Sequence, residues 1–263
     1  MPETPRTRPA ARPAARSAAR PSRPVTFDPL VPQPAYGRVA AAIEGKILDR
    51  SLRPGDLLPT ENDLALQFGV NRSTVREALR RLESAGLVGR DSGAKRLRVT
   101  RPNQADTASR VSRALALDDV TFIELWEAML AVAPRTAALA AGRGAGEALP
   151  ALEAEIAAVE AARGAEAEVA AVVRFFGTLA DASGNRVLML AMQPVTRLLV
   201  PSLRRMIDRV PQGRSRIVVA QRCIVEALRK GDAAEAESWM TRHVQDFRRG
   251  YEIAGIALDT RVA

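Results

Sequence analysis

From Tyr36 onward, apolar residues fall into two successive patterns. Between Tyr36 and Arg50 they sit at Val39, Ala42, Ile43 and Ile47, the spacing of one face of a helix. Arg53-Pro54-Gly55-Asp56 breaks that helix in a turn. Thr60 with Asp63 three residues later predicts the start of a second, short helix, with Leu64, Ala65 and Phe68 inward. Phe68-Gly69-Val70-Asn71 predicts a tight turn, because Gly69 tolerates positive φ. A third helix, capped by Asn71 or Ser73, runs through Ser84 and stops at Gly86. Its inward face is Val75, Ala78, Leu79 and Leu82. Leu87–Arg90 and Arg96–Thr100 read as two short strands around Asp91-Ser92-Gly93-Ala94, a hairpin.

The pattern then changes. Residues 104–257 show helical spacing throughout, in six or seven segments. Breaks fall at Leu117-Asp118, Gly142–Gly146, Gly164, Gly184-Asn185, Val210–Gly213 and Gly231-Asp232. The expected fold is mainly α. An N-terminal winged helix-turn-helix, three helices plus a β-hairpin wing, joins an all-helical antiparallel bundle. The boundaries read as a disordered basic tail over 1–34, the winged domain over 35–101, the helical domain over 102–258 and a short C-terminal tail over 259–263. The first segment is a Pro-Arg-Ala repeat with too little apolar content to offset the entropy of ordering it.

Composition narrows the function classes. One cysteine, Cys223, excludes a disulfide framework and a cysteine-based zinc site. One histidine, His243, argues against a histidine-rich metal centre or a serine hydrolase. No signal-type segment opens the sequence and no run of about 18 apolar residues occurs, so the expected location is cytoplasmic, with no membrane partner. Lys and Arg number 39 against 30 Asp and Glu, and the excess is uneven. Residues 1–24 carry net +5 and residues 34–100 net +4, whereas residues 101–263 carry +1. A polyanion partner is therefore expected for the N-terminal part. Arginine is abundant along the whole chain, 36 against three lysines, which discounts the argument from arginine number alone.

The outward face of the third helix carries the candidate chemistry. Ser73 and Thr74 lie near its N-terminus, where phosphates bind. Arg76 carries a forked guanidinium suited to the guanine O6/N7 edge in the major groove. Arg72 is placed for a phosphate or a base edge, and Arg80 either touches phosphate or is solvated. Glu77 reads as a capping-box partner of Thr74. Gly93 would let the wing backbone approach the adjacent groove, or is simply a turn glycine.

The stretch from Arg53-Pro54-Gly55-Asp56-Leu57-Leu58-Pro59-Thr60-Glu61 through Leu64-Ala65, Phe68-Gly69-Val70-Asn71-Arg72-Ser73-Thr74-Val75-Arg76-Glu77-Ala78-Leu79-Arg80-Arg81-Leu82-Glu83 and Gly86-Leu87-Val88 resembles the GntR family of bacterial transcriptional regulators. That resemblance implies a homodimer on a pseudo-palindromic operator in double-stranded DNA, contacted by Asn71, Arg72, Ser73, Thr74, Arg76 and Gly93. The family often has Arg where this chain has Asn62. The helical half resembles the FadR-type subfamily, whose FCD domain binds a small-molecule effector. The matching pieces are Glu124-Leu125, Leu139-Ala140-Ala141, Phe175 with Leu179, Ser183-Gly184-Asn185, and Gly231-Asp232 followed by Ala236 and His243.

Many FadR-type proteins hold a divalent metal with one Asp and three His. By the resemblance those positions are Val172, Phe176, Gln221 and His243 here, and the pocket Arg and Glu become Met129 and Ala133. One imidazole and a Gln amide make a poor zinc site, so no metal or other cofactor is expected. The candidate effector pocket, Met129, Val172, Phe176, Gln221 and His243, then either takes a largely apolar effector or is closed by its own side chains. His243 reads as a hydrogen-bonded core histidine. The functional expectation is a transcriptional regulator, a repressor in the first instance, and not an enzyme. The rival is an architectural DNA-binding dimer whose bundle no longer senses anything. An enzyme with an appended DNA-binding domain ranks below both, for want of a phosphate loop, a second His or a carboxylate cluster.

Overall fold

The computed structural model of the chain describes residues 34–91, 93–94 and 96–262. The predicted basic tail lies outside the described residues except for Pro34, and so does Ser92 in the predicted hairpin turn.

Helix α1 spans Ala35–Leu48 and buries Val39, Ala40 and Ile43. Ala42, expected inward, is exposed, and Ala40 takes its place. Val39 and Ile43 fix the buried face, but alanine has too little hydrophobic contrast to show which neighbour shares it. Helix α2 spans Glu61–Phe68. Its start is the predicted reciprocal cap: the Asp63 N–H donates to Thr60 Oγ1, and the Thr60 N–H donates to Asp63 Oδ2, both at 3.2 Å. Gly69 ends it at φ 62°, a left-handed conformation that glycine adopts without a Cβ penalty.

Helix α3 spans Arg72–Ser84 and buries Val75, Ala78, Leu79 and Leu82, the face expected from its spacing. Strands β1 (Val88–Gly89) and β2 (Arg98–Val99) pair antiparallel with Val88 opposite Val99. They are shorter than predicted because neighbouring groups bond elsewhere. The Leu58 N–H donates to the Leu97 carbonyl at 2.8 Å. The Arg96 guanidinium donates to the Leu58 carbonyl through Nε at 3.2 Å and Nη2 at 2.8 Å. Leu57 bridges Arg98. The wing is thus tied to the α1–α2 connection. Val39, Ile43, Leu58, Leu64, Val75, Leu79, Leu82, Val88 and Val99 close this domain's core.

Seven α-helices follow, with boundaries at the predicted breaks: α4 Gln104–Leu117, α5 Phe122–Gly142, α6 Leu149–Ala161, α7 Ala165–Ala182, α8 Arg186–Arg209, α9 Gly213–Lys230 and α10 Ala233–Ile253. A short 3-10 helix at Ala145–Ala148 joins α5 to α6. α10 packs against α5 and α9, α7 against α6 and α8, and α4 lies on α8. Ala133, Ala137, Ala140 and Ala141 are buried on α5, and small side chains permit such close helix contacts. α8 carries two internal prolines, Pro194 and Pro201, each of which removes one helix hydrogen bond. Thr196 bonds back to the Met192 and Gln193 carbonyls beside the first of them.

After α10 the chain returns to α5. The Phe122 N–H donates to the Thr260 carbonyl at 3.0 Å, and the Val262 N–H donates to the Val120 carbonyl at 3.1 Å. Val262 is buried there. The winged domain meets the bundle through α4, where the Arg110 guanidinium donates to the Ser84 carbonyl at the end of α3.

Candidate functional site

Two places in this fold carry candidate chemistry, the outer face of α3 and a cavity inside the bundle. At the start of α3, Asn71 Oδ1 accepts from the Thr74 N–H at 2.9 Å and is the cap. Asn71 Oδ1 also receives the Ser73 hydroxyl at 2.8 Å and the Thr74 hydroxyl at 2.7 Å. Both hydroxyls are spent on the cap in this state. The Arg72 and Ser73 N–H groups sit in the first turn, positioned for a phosphate oxygen at the positive end of the helix. The predicted Thr74–Glu77 capping box does not form, because Asn71 already satisfies the Thr74 N–H. Glu77 lies instead 3.9 Å from Arg80, with both side chains more than half exposed, an arrangement worth little to stability.

Arg76 is half exposed on the same face, and its Nη2 lies 3.4 Å from Glu61 Oε2 on α2. The sequence reasoning missed Glu61 as a partner. The Pro59-Thr60-Glu61 motif placed it at the start of α2, but not its distance from α3. Arg72 and Arg80 are exposed, and Gly93 adopts φ 80° in the wing turn. The wing arginine Arg98 pairs with Asp91 at 2.6 Å. Asn62, where the resembling proteins often carry Arg, is exposed.

The bundle cavity lies among α5, α7, α8 and α10. Phe122, Trp126, Met129, Val172, Phe176, Leu199, Leu203, Phe247 and Tyr251 are among its walls. Its volume is about 20 Å³, space for roughly one water. Five of the chain's ten aromatic side chains converge here. Of the candidate pocket residues, Met129, Val172 and Phe176 line this cavity, and Gln221 and His243 do not. The sequence reasoning missed Phe122, Trp126, Leu199, Leu203, Phe247 and Tyr251. Their convergence depends on packing among α5, α8 and α10, which no local period encodes, although the scarcity of aromatics offered a hint.

His243 stands directly behind the cavity wall. Its ring packs on Phe176, with centroids 5.7 Å apart and planes at 5°, and on Phe247 at 4.8 Å. It is a core residue as expected, 1% exposed, but its Nε2 has no hydrogen-bond partner among the described residues. The expected hydrogen bond is therefore absent at that atom, because the surrounding side chains are aromatic. Burial lowers the imidazole pKa to about 4, against a smaller opposing pull from Asp246. Gln221 is fully buried on α9, and both its amide atoms lack partners among the described residues. Burial pushes the Tyr251 phenol upward, and its hydroxyl donates to Ser202 Oγ at 2.7 Å.

The residues present do not fit the metal that FadR-type proteins often hold. Val172 and Phe176 are buried hydrocarbon, and the Phe176 ring covers the imidazole face. Among the described residues, no three His, Cys, Asp or Glu side chains cluster as a metal site requires.

Comparison with known proteins decides the family. Residues 35–94 match the bacterial regulatory proteins of the gntR family, and residues 124–246 match the FCD domain. The chain is 30% identical over 225 residues to a proposed L-lactate dehydrogenase operon regulatory protein of Escherichia coli (strain K12), covering 82% of this chain and 85% of that protein. This chain belongs to the GntR family and carries an FCD effector-binding domain. An uncharacterized HTH-type transcriptional regulator of Mycobacterium tuberculosis is 36% identical over 164 residues, 62% of this chain and 67% of that protein. A solved Streptococcus agalactiae GntR structure superposes with a TM-score of 0.58 at 26% identity, covering 81% of this chain and 99% of that one. The protein is a GntR-type transcriptional regulator and not an enzyme. GntR-family regulators bind DNA and FCD domains bind effectors. No helix among the described residues is long and apolar enough to cross a membrane.

Proposed function

We propose that this regulator acts in the cytoplasm as a homodimer on a pseudo-palindromic operator and acts as a repressor. α3 enters the major groove of double-stranded DNA. Arg76 reads a base edge, the Arg72 and Ser73 amides hold a phosphate at the helix N-terminus, and Asn71 and Thr74 keep that terminus in shape. Arg80 reaches the flanking phosphate, and Gly93 brings the wing toward the neighbouring groove. A largely apolar effector enters the cavity walled by Met129, Val172 and Phe176 and alters DNA affinity through linkage. The observation that carries this reading is the outer face of α3, where Arg76 stands half exposed and oriented by Glu61.

Selection of binding sites from random duplexes by the full chain tests it. A two-fold symmetric sequence with equivalent half-sites is the expected product. Enrichment of a single asymmetric site, or of none, contradicts it.

A second reading has one observation in its favour, the small size of the cavity. In that reading the bundle only dimerises. Thermal melting against a panel of apolar ligands separates the two, since a ligand that binds the folded state raises the melting temperature.

A further inference from the structure

Three buried polar atoms on α9 and α10 have no partner among the described residues: Gln221 Oε1, Gln221 Nε2 and His243 Nε2. Their side chains are 0% and 1% exposed. Bare polar atoms in a dry interior destabilise a fold, so such a group is normally bonded to something. α9 and α10 pack together, and residues beside Gln221 on α9 reach His243. Ala220, next to Gln221, lines a groove with His243. Ile217, one turn before Gln221 on the same face of α9, shares a small cavity with His243.

The aromatic cavity lies on the other side of Phe176 and Phe247, both of which pack on the His243 ring. The cavity's own polar atoms are satisfied. Trp126 Nε1 donates to the Val244 carbonyl at 2.9 Å, the Tyr251 hydroxyl to Ser202 Oγ at 2.7 Å, and the Thr196 hydroxyl to the Gln193 carbonyl at 3.0 Å. The walls therefore offer a ligand apolar contact, and unused hydrogen-bonding capacity lies just behind Phe176. Gln193 Oε1 and Glu168 Oε1 also lack partners among the described residues, and Glu168 is already paired with Arg214 through its other oxygen.

Resting on the reading of this cavity as the effector site, we propose that Gln221 and His243 form its polar end, reached when the Phe176 ring swings aside, and that the effector is an uncharged amphipath. It has an apolar body for the aromatic cavity and one neutral head that both donates and accepts hydrogen bonds, such as a hydroxyl or a carboxamide. The glutamine amide supplies a donor and an acceptor, and a neutral imidazole supplies one more of either kind. A hydroxyl or carboxamide complements that set, whereas a carboxylate only accepts. No cationic side chain lines the cavity to balance a carboxylate. The nearby Arg216 is already paired with Asp246. A charge buried without a partner is disfavoured far more than a neutral polar head.

Toluene, benzyl alcohol and benzoate share one shape and differ in the head group. Trp126 lines the cavity, so its fluorescence reports binding once the chain's other tryptophan is removed as Trp239→Phe. Full-length protein is expected to bind benzyl alcohol at least about tenfold more tightly than toluene or benzoate. Gln221→Leu is expected to reduce that preference to below about threefold while leaving toluene binding unchanged. The ligand-free Gln221→Leu protein should melt no lower than the parent, because no protein hydrogen bond is lost; Gln221→Met serves if the leucine variant folds poorly. Equal binding of toluene and benzyl alcohol would show that trapped water satisfies the glutamine and would overturn the inference while sparing the cavity reading. Tightest binding by benzoate would overturn it in favour of a charged head. No fluorescence or melting response to any of the three would overturn the cavity reading and the inference with it.

Discussion

The rings of Phe176 and His243 lie nearly parallel, 5.7 Å apart, one on α7 and the other on α10. A phenyl ring on one face of the imidazole and Phe247 beside it leave the ring dry, and dryness holds it neutral. In the folded protein its pKa is about 4, against 6.5 for an unperturbed histidine. The unfolded chain therefore binds the extra proton between those values. The contribution to stability is fully present above about pH 6.5 and is lost as pH falls toward 4. Its full size is about 3 kcal/mol by the usual conversion of a pKa shift to free energy. Melting curves between pH 4.5 and 7.5 should show this loss, and His243→Phe should remove most of the slope. An unchanged slope in the variant would assign the acid sensitivity to other groups.

The same pair of rings bears on metal binding. With Val172, Phe176 and Gln221 beside His243, too few donors converge for a stable divalent site. Protein purified without chelator should contain well under one equivalent of zinc, nickel or manganese by elemental analysis. Addition of a chelator should leave the melting temperature unchanged. One tightly held metal per subunit would show that another set of side chains supplies the ligands.

Glu61 is expected to position Arg76 rather than touch DNA. Its carboxylate accepts from the guanidinium at 3.4 Å and holds a long side chain over the α3 face. Glu61→Gln keeps the shape and removes the charge. It should weaken operator binding by about 1.5- to 5-fold, the scale of a partly exposed ion pair, and relax preference at the base that Arg76 reads. Tighter binding to all DNA, with base preference unchanged, would show that Glu61 only repels phosphate.

The winged domain was legible because its signals are local. Thr60 and Asp63 are three residues apart, Gly69 sits in the turn, and Val75, Ala78, Leu79 and Leu82 mark one face. Each relationship spans a single turn of chain, and each is present in the structure. The bundle's helix boundaries were legible for the same reason, at Gly164, Gly184-Asn185 and Gly231-Asp232. The cavity was not. Phe122 and Tyr251 stack at 3.7 Å although 129 positions separate them, and no local period encodes that meeting. Resemblance put Met129, Val172, Phe176, Gln221 and His243 in one pocket, but only the first three line the cavity. The cap of α3 was ambiguous because Asn71, Ser73 and Thr74 are all competent caps. The geometry selects Asn71 and leaves Glu77 to Arg80.

The central claim is that α3 reads base sequence through Arg76. Its most direct test is Arg76→Ala, titrated at one fixed salt concentration on a selected operator and on a random duplex of equal length. The account predicts a loss of about 1–3 kcal/mol on the operator, little change on random DNA, and relaxed preference at one position in each half-site. Equal weakening on both duplexes, with base preference intact, would place Arg76 on a phosphate and contradict the account.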